Sequence, residues 1–364
     1  MKNYPLAKPE IIDQDILAVE KVLKTSLLSR GPTIEAFEAQ ICQVLNSPFA
    51  CAVSSGSAGL IMALQSLGVG PGDEVITVSF TVSATVNSIV AIRALPVMVD
   101  IEPETLGMCP QALSVAITKK TKAIIVVHAF GKAAKISEIM SIANTHNIPV
   151  IEDACEAIGN QYQGKALGTF AHIGVFGFYP NKQITTGEGG MLVTHSSRLY
   201  DKFLLLRNHG RSMNGDLYDQ INFGWNFRMS DINAALGLSQ VLRLEDLLEK
   251  RKKIAAYYFE FLSNEMNIIC PEFKKEENSA WFVYVIQLTK INRDETLIQL
   301  KHNKIQCGRY FAPVHLQPFY REKYPQESLK NTEEVANQCL ALPFYTELSH
   351  DNIKYICDIL LKVY

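Results

Sequence analysis

The chain has 364 residues, of which 48% are hydrophobic and 20% are charged, and its formal net charge is −2. This balance is typical of a folded protein with an apolar core, and it argues against a basic surface that binds nucleic acid. The length predicts two domains, or one large domain with an appendage.

The eight cysteines are scattered, and none forms a Cys-x-x-Cys pair or lies near a histidine at metal-ligand spacing. They indicate buried free thiols rather than a disulfide frame or a zinc site. The N-terminal MKNYPLAKPEII has no apolar signal region, and no apolar stretch reaches membrane-spanning length. We therefore expect a cytoplasmic protein that has no metal ion and no membrane or nucleic-acid partner.

Short apolar strands alternate with helices in the first part of the chain. The pattern predicts, in chain order, a helix over 10–26, a helix over 57–67, strands over 75–79 and 96–100, a helix over 110–117, a strand over 123–130, a helix over 136–147, and strands over 149–153 and 172–179. Apolar strands alternating with helices indicate a parallel sheet that is covered on both faces.

The second part of the chain has a different pattern. It contains a long helical stretch over 230–262, an apolar stretch over 278–288, a helix near 294–302, a loop-like segment over 308–320 and a helical end. We place the domain boundary within 245–265. Residues 1–250 are then predicted to form a large α/β domain, and residues 251–364 a small α+β domain.

Three short stretches are candidates for ligand binding, because open α/β sheets bind ligands just outside the carboxyl ends of their strands. The first is Asp153, which ends the predicted strand 149–153. An acid at this position would face a ligand. Asp is also a favoured helix N-cap, so this residue alone allows both interpretations.

The second stretch is SSGSAGL, residues 54–60, whose small residues lead into the predicted helix 57–67. Free N–H groups and the dipole at a helix N-terminus form a site for an anion such as phosphate. A cluster of serine and glycine can equally be a simple turn.

The third stretch is Lys182 with the glycine-rich run that follows it. A lysine among apolar and small residues loses solvent, and its neutral amine can form a Schiff base with a carbonyl. The alternative is an ordinary solvated lysine. Together, however, an acid, an anion site and such a lysine are the three anchors of pyridoxal phosphate (PLP). They would hold its ring nitrogen, its phosphate and its aldehyde.

The sequence resembles the PLP-dependent nucleotide-sugar aminotransferases of the DegT family, within the fold-type I aminotransferases. The motifs that carry this resemblance include SSGSAGL (54–60), VVHAFG (126–131), VIEDACEAIG (150–159), FYPNKQITTGEGGMLVT (178–194) and FGWNFRMSDINAALGLSQVLRL (223–244). The resemblance implies an α/β fold with a large domain, in which a mostly parallel seven-stranded sheet lies between helices, and a smaller C-terminal α+β domain.

The resemblance also implies roles for single residues. Lys182 would bond the cofactor and act as general acid and base, and Asp153 would pair with the pyridinium nitrogen. Gly56 and Ser57 would bind the phosphate. The cofactor site would further include Val82, Glu156 and Asn181.

By the same resemblance, Asn226 would reach the phosphate in the neighbouring subunit, so a homodimer would complete each active site. Thr185, Glu188, Arg228 and His315 would border the substrate. Without the resemblance, Asn226 and Arg228 would be interpreted as a helix-entry turn and a surface charge, and His315 as a loop histidine with satisfied hydrogen bonds.

Three positions depart from the pattern of the family. Gly177 stands where many relatives have a phosphate-binding serine, so one phosphate contact would be missing or would be replaced by Asn181 or water. Val82 stands where an aromatic side chain often stacks on the PLP ring. Glu156, often glutamine, gives the Asp-Ala-x-Glu form that resembles the perosamine-synthase branch, and a glutamate near the cofactor needs a proton or a cationic partner.

These features predict a ping-pong aminotransferase that moves the amino group of L-glutamate onto a nucleotide-linked keto-deoxy sugar, at C4 of a 4-keto-6-deoxyhexose. The product would enter a surface polysaccharide or a glycosylated natural product. Amination at C3 is an alternative, and a PLP-binding sensor without turnover is another. A sugar 3-dehydratase of this fold commonly has histidine in place of the lysine, so Lys182 argues against that activity.

Overall fold

The computed structural model describes residues 3–212, 219–272, 277–278 and 280–363. Its α-helices are α1 (Asp13–Leu23), α2 (Pro32–Leu45), α3 (Gly56–Ser66), α4 (Ser83–Ala91), α5 (Pro110–Ala116), α6 (Ile136–Thr145), α7 (Ser197–Arg207), α8 (Asp231–Leu242), α9 (Leu244–Leu262), α10 (Arg293–His302), α11 (Pro318–Lys323), α12 (Lys330–Gln338) and α13 (His350–Leu360).

The strands follow the same numbering. They are β1 (Phe49–Val53), β2 (Glu74–Val78), β3 (Leu95–Val99), β4 (Thr121–Val127), β5 (Val150–Asp153), β6 (Gln161–Tyr162), β7 (Lys165–Ala166), β8 (Ile173–Gly177), β9 (Gly190–Thr194), β10 (Ile268–Ile269), β11 (Glu277–Asn278), β12 (Tyr284–Leu288) and β13 (Cys339–Leu342).

A seven-stranded sheet in the order β1-β9-β8-β5-β4-β2-β3 forms the centre of the large domain. Only β9 runs against the others, since it pairs antiparallel with both β1 and β8, while the remaining pairs are parallel. The predicted mostly parallel, seven-stranded sheet is confirmed.

Both faces of this sheet are buried, as the alternation of residues along β4 shows. Ile124 and Val126 belong to a core with α5 and α6, whereas Ala123 and Ile125 belong to a core with α3, α4 and α7. A strand that is buried on both sides needs apolar residues at every position. This explains why the strands appear in the sequence as continuous apolar runs.

A smaller α+β unit lies towards the C-terminus, as predicted. Its sheet has the antiparallel order β10-β12-β13 and shares one apolar core with α9 and α13. Tyr4 also belongs to this core and pairs with Ile305, so the N-terminal residues pack on the small unit. The predicted division at residue 250 falls inside α9, which continues from the large unit into the small one.

The main difference between prediction and structure is that several helices and strands were not predicted. The sequence pattern did not indicate α2, α4, α7, β1 or β9. The helical stretch 230–262 is divided into α8 and α9 at Arg243, whose backbone leaves the helical region with φ −116° and ψ 22°. Among the described helices, none is long and apolar enough to span a lipid bilayer.

Candidate active site

A cavity of about 380 Å³ opens at the carboxyl ends of β5 and β8. Its walls bring together seven of the residues predicted to bind cofactor and one predicted to border the substrate. They are Gly56, Ser57, Val82, Asp153, Glu156, Asn181, Lys182 and Glu188. Parallel strands end at a common edge, so residues far apart in the sequence meet here.

Lys182 lies in the connection between β8 and β9, which the Gly177–Gly190 pair closes at its base. Its Nζ lies 3.3 Å from Glu156 Oε1 and 4.1 Å from the centre of the Phe282 ring. The side chain is 11% exposed. The amine is therefore held between a carboxylate and an aromatic face, rather than solvated at the surface.

Asp153 is the last residue of β5 and is 7% exposed. Its Oδ2 accepts a hydrogen bond from Thr85 Oγ1 at 2.7 Å, and its Oδ1 accepts one from the Cys155 N–H at 3.3 Å. Residues 154–160 form turns, so Asp153 caps no helix. The structure thus favours the ligand-facing interpretation of this acid over the N-cap.

Glu156 is buried beside the lysine. Its Oε2 accepts a hydrogen bond from the Phe130 N–H at 2.8 Å, and its Oε1 faces Lys182. Burial raises the pKa of this carboxyl, while the Lys182 charge and the Phe130 N–H oppose the rise. Lys182 is the cationic partner that a glutamate at this position requires.

The first turn of α3 forms the opposite wall of the cavity. Ser55 is its N-cap and accepts a hydrogen bond from the Ala58 N–H at 3.1 Å. A Cβ at Gly56 would lie 2.9 Å from Cys155 Sγ, and one at Gly190 would lie 2.5 Å from the Ser55 carbonyl carbon. These glycines allow the start of β9 to approach the helix N-terminus, whose N–H groups suit a phosphate.

Gly177 lies at the same end of the cavity. A Cβ there would meet Cys155 Cβ and Sγ at 3.4 Å, which is close to ordinary contact. The position therefore has room for a small side chain but adds no polar group to the anion site. Nearby, Asn181 Oδ1 is buried without a hydrogen-bond partner, as expected of an amide that awaits a ligand.

These observations fit PLP. A buried acid, an amine and a helix N-terminus surround one cavity, and an unpartnered amide oxygen lies in its wall. Val82, the residue before α4, is 47% exposed at the mouth of the cavity and is placed to cover a bound ring. It is aliphatic, so it offers less stacking energy than an aromatic residue, a difference on the order of 1 kcal/mol.

Three predicted substrate residues, Thr185, Arg228 and His315, do not line this cavity. Thr185 is buried, and its Oγ1 donates to the Phe178 carbonyl at 3.0 Å and accepts from the Gly187 N–H at 2.9 Å. It therefore shapes the glycine-rich turn from within. Glu188, in the same turn, is exposed and does line the cavity.

His315 is 3% exposed and lies behind the wall of the cavity. Its Nδ1 lies 2.6 Å from Ser79 Oγ, and its Nε2 lies 3.3 Å from Glu333 Oε1. Both ring nitrogens therefore have hydrogen-bond partners within the protein. This agrees with the alternative interpretation, in which His315 is a loop histidine with satisfied hydrogen bonds. The structure does not bring this residue to the place where a substrate would lie.

Asn226 and Arg228 lie outside the cavity of their own chain. Asn226 is exposed and forms an isolated antiparallel bridge with Asn208. Arg228 forms a similar bridge with Val53, and its Nη1 donates to Asn208 Oδ1 at 2.9 Å. Within one chain, these residues support each other and contact no candidate cofactor residue.

A second cavity of about 340 Å³ shares Val82, Glu156, Asn181 and Lys182 with the first and extends towards the small unit. Phe311 also lines both cavities, and the second is further lined by Phe282, Tyr310 and, at the rim, the cation Arg309. The rings of Phe282 and Tyr310 are nearly parallel, 6.4 Å apart. The amine of Lys182 is thus accessible from two connected spaces.

The sequence interpretation did not single out several residues of the site. His128 directly follows β4 and lines the first cavity, with its Nε2 2.9 Å from Glu152 and its Nδ1 accepting from the Ala134 N–H. Its position at a strand end would have been a usable signal. Phe282 had no such signal, because it comes from the small unit.

Among the described residues, no cluster of three or more His, Cys, Asp or Glu is arranged to hold a metal ion. All eight cysteines are free.

Comparison with known proteins agrees with this geometry. The sequence model of the DegT/DnrJ/EryC1/StrS aminotransferase family matches residues 9–361. GDP-perosamine synthase of Escherichia coli O157:H7 is 34% identical over an alignment that covers 100% of this chain and 99% of that protein.

Two solved structures have nearly the same fold. The aminotransferase PseC of Helicobacter pylori, involved in the biosynthesis of pseudoaminic acid, superposes with a TM-score of 0.95 at 27% identity, covering 100% of this chain and 99% of that chain. The PLP form of the putative sugar aminotransferase Spr1654 of Streptococcus pneumoniae superposes with a TM-score of 0.94 at 26% identity, covering 100% of both chains.

Proposed function

Because this chain belongs to the DegT/DnrJ/EryC1/StrS aminotransferase family and is a PLP-dependent sugar aminotransferase, we propose that it transfers the amino group of L-glutamate to C4 of a nucleotide-linked 4-keto-6-deoxyhexose. The observation that carries this proposal is the Lys182 amine, held between Glu156 and Phe282 where two connected cavities meet. One cavity suits the cofactor, and the other leaves room for a sugar.

Each anchor of the cofactor has a counterpart in the first cavity. The first turn of α3, with Gly56 and Ser57, binds the phosphate through backbone N–H groups. Asp153 pairs with the ring nitrogen, and Thr85 holds its carboxylate in place. Lys182 would hold the aldehyde, and the cofactor when bound would supply an electron sink for the reaction.

Lys182 moves the proton in each half of the ping-pong reaction. It lies in the wall of both cavities, so one amine can serve glutamate and sugar in turn. Glu156 holds the amine by its carboxylate and limits its motion. Phe282 covers the amine and restricts access of water.

Amination at C4 is supported by Glu156, which gives the Asp-Ala-x-Glu form that resembles the perosamine-synthase branch and lies against the catalytic amine. The similarity to GDP-perosamine synthase is a second support. We keep amination at C3 as the competing regiochemistry, since both 3-keto and 4-keto sugars offer the same type of carbonyl to the amine.

We propose further that the active enzyme is a homodimer. Asn226 is exposed and has no role in the cavity of its own chain, which is what a residue that completes the partner's phosphate site requires. Exposed apolar side chains flank this region at Leu27, Leu28, Ile221 and Phe223. A second copy would remove them from water.

The test is an assay with L-glutamate and a panel of nucleotide-linked 3-keto and 4-keto sugars, with products identified by mass spectrometry. We expect aminated product from 4-keto-6-deoxy sugars, a visible cofactor band that glutamate bleaches, and neither in Lys182→Ala. Product only from 3-keto sugars would mean that the enzyme aminates C3 of the sugar and not C4. A band that glutamate leaves unchanged would favour a PLP-binding sensor without turnover.

A further inference from the structure

Arg251, on α9, is a buried cation with unusual partners. It is 4% exposed, and its Nε is buried without a hydrogen-bond partner. Burial lowers the pKa of its guanidinium to about 10, and the Glu10 carboxylate opposes this shift. Glu10 itself pairs with Arg243 and Lys250. Arg251 is thus still charged at neutral pH, in a place where a charge costs stability.

The guanidinium of Arg251 connects the two units of the fold through backbone carbonyls. Its Nη2 donates to the Lys182 carbonyl at 3.0 Å, and its Nη1 donates to the Phe282 carbonyl at 3.1 Å and, more weakly, to that of Trp281 at 3.4 Å. One planar group therefore fixes the peptides of the two residues whose side chains meet in the active site.

The side chains of Lys182 and Phe282 are also in contact with each other. Lys182 Nζ lies 4.1 Å from the centre of the Phe282 ring. An aromatic face attracts an ammonium group and covers it. This contact needs both backbones at a fixed separation, because Lys182 belongs to the β8–β9 connection and Phe282 precedes β12.

We propose that Arg251 is a positioning residue for Lys182, which holds Lys182 and Phe282 in the one arrangement that places the ring over the amine. The inference rests on the proposed function, in which Lys182 bonds the cofactor. An arginine is needed because its rigid fork reaches both peptides at once, whereas the single ammonium of a lysine is a point charge with a different geometry. The role explains why a costly buried cation occupies this position.

The test measures how fast the Lys182 amine reacts in the full-length, cofactor-free protein. Each variant is reductively methylated with formaldehyde at neutral pH, and modification of Lys182 is read by peptide mass spectrometry relative to the exposed Lys119. In Arg251→Lys the positive charge is kept but the ring is no longer held over the amine. We expect Lys182 to react about tenfold faster, because the Phe282 ring no longer covers the amine.

Phe282→Leu should give the same increase, and combining it with Arg251→Lys should add nothing further, since Arg251 acts through Phe282. An unchanged Lys182 rate in Arg251→Lys, or a double variant whose rate is the product of the two single effects, would overturn the proposal. Should Arg251→Lys not fold, Arg251→Gln is measured in the same way and carries the same expectation.

Arg293→Lys is the matched control. Arg293 is also buried, and its Nη1 donates to the carbonyls of Ala336 and Cys339, both at 2.9 Å, within the small unit. We expect this variant to lose stability without any change in the Lys182 rate. An equal rise in Arg293→Lys would mean that general loosening causes the effect, which contradicts the proposal.

The labelling does not depend on turnover. If the labelling pattern is found but glutamate does not bleach the cofactor band, the proposed function fails and the positioning role stands. If glutamate bleaches the band but the labelling pattern is absent, the positioning role fails alone.

Discussion

At the scale of single residues, the chemistry of the site could be predicted where it depends on position along a strand. Asp153 ends one predicted strand and Lys182 follows another, and the rule that ligands lie at the carboxyl ends of strands identified both. Phe282 and Arg251 could not be predicted. Their roles depend on hydrogen bonds and ring contacts between segments far apart in the chain, and no local pattern encodes such contacts.

Gly177 gives a first prediction. A serine at this position should fit, because its Cβ would lie 3.4 Å from Cys155, and its hydroxyl would add a donor to the anion site. We expect Gly177→Ser to bind PLP more tightly by up to about tenfold, the effect of roughly one good hydrogen bond. The measurement is a PLP titration followed by absorbance.

Gly174→Ser is the control for this substitution. A Cβ at Gly174 would lie 1.9 Å from the Gly168 carbonyl oxygen, so the same change there should destabilise the fold. Weaker PLP binding in Gly177→Ser would show that the cofactor phosphate needs the space that this glycine leaves open.

Glu156 gives a prediction on pH. Its folded-state pKa is raised by burial, so the folded protein binds this proton more readily than the unfolded chain does. The resulting stabilisation is complete below the unfolded value and is lost as the pH rises through the folded value. We expect the unfolding free energy of the cofactor-free protein to fall, relative to that of Glu156→Gln, as the pH rises above the ordinary value of 4.5.

Urea denaturation at several pH values measures this difference. Parallel curves for the two proteins would mean that Lys182 and the Phe130 N–H fully offset the effect of burial on the Glu156 carboxyl.

At the scale of helices and strands, the sequence pattern found the elements that are apolar on every side or clearly periodic. It missed α2, α4 and α7, each of which carries several small or polar residues. The strand β9 was not recognised, because its residues are the end of the glycine-rich motif that contains Lys182. The break between α8 and α9 could not be predicted, because it depends on how Arg243 binds Glu10 and Asp15.

Asp15 attaches α1 to α8 and gives a prediction at this scale. It is fully buried, and it accepts hydrogen bonds from Ser239 at 2.6 Å, Gln240 at 2.9 Å and Arg243 at 2.8 Å. Burial alone would raise the pKa of this carboxyl, but the hydrogen bonds from Ser239, the Ile12 N–H and Arg243 lower it overall.

A lowered pKa stabilises the fold above the ordinary value near 3.8, and this stabilisation is lost as the pH falls through the lower folded value. We expect Asp15→Asn to lower the unfolding free energy at neutral pH by roughly 3 kcal/mol, because it leaves Arg243 short of a buried partner. Hydrogen exchange should show faster exchange in α1. Unchanged protection there would mean that apolar packing alone holds the helix.

At the scale of the whole molecule, the two-unit α/β architecture could be predicted in outline, but the way in which the units join could not. The second unit supplies Phe282 to the active site, and α9 crosses the predicted boundary. The candidate active site therefore contains residues of both units. In the proposed dimer, a second chain also contributes a residue, Asn226, to each active site.

The dimer gives a prediction that light scattering can check. We expect a mass of about twice 40.6 kDa in solution. Asn226→Ala should keep this mass but weaken PLP binding, although the cavity of its own chain is intact. A monomer that retains PLP and full activity would contradict the proposed shared site.

A mixture of two variants tests whether each active site uses residues of both chains. Asn226→Ala and Lys182→Ala are each expected to be nearly inactive. If they are dissociated together and allowed to reassociate, half of the dimers should contain one chain of each kind, with one complete site. Activity should then return to roughly a quarter of the wild-type value. No recovery would place Asn226 and Lys182 in the same site of the same chain.

The pairing of the N-terminus with the small unit has a consequence for biosynthesis. Tyr4 leaves the ribosome long before Lys304, yet its N–H bonds the Lys304 carbonyl, and the nearby Leu6 carbonyl accepts from the Phe344 N–H. The large sheet can assemble as soon as β9 emerges, whereas the small unit must wait for β13 and α13. During synthesis, the large sheet and its cofactor-binding residues are thus expected to fold before Phe282 and Arg251 can take their places beside Lys182.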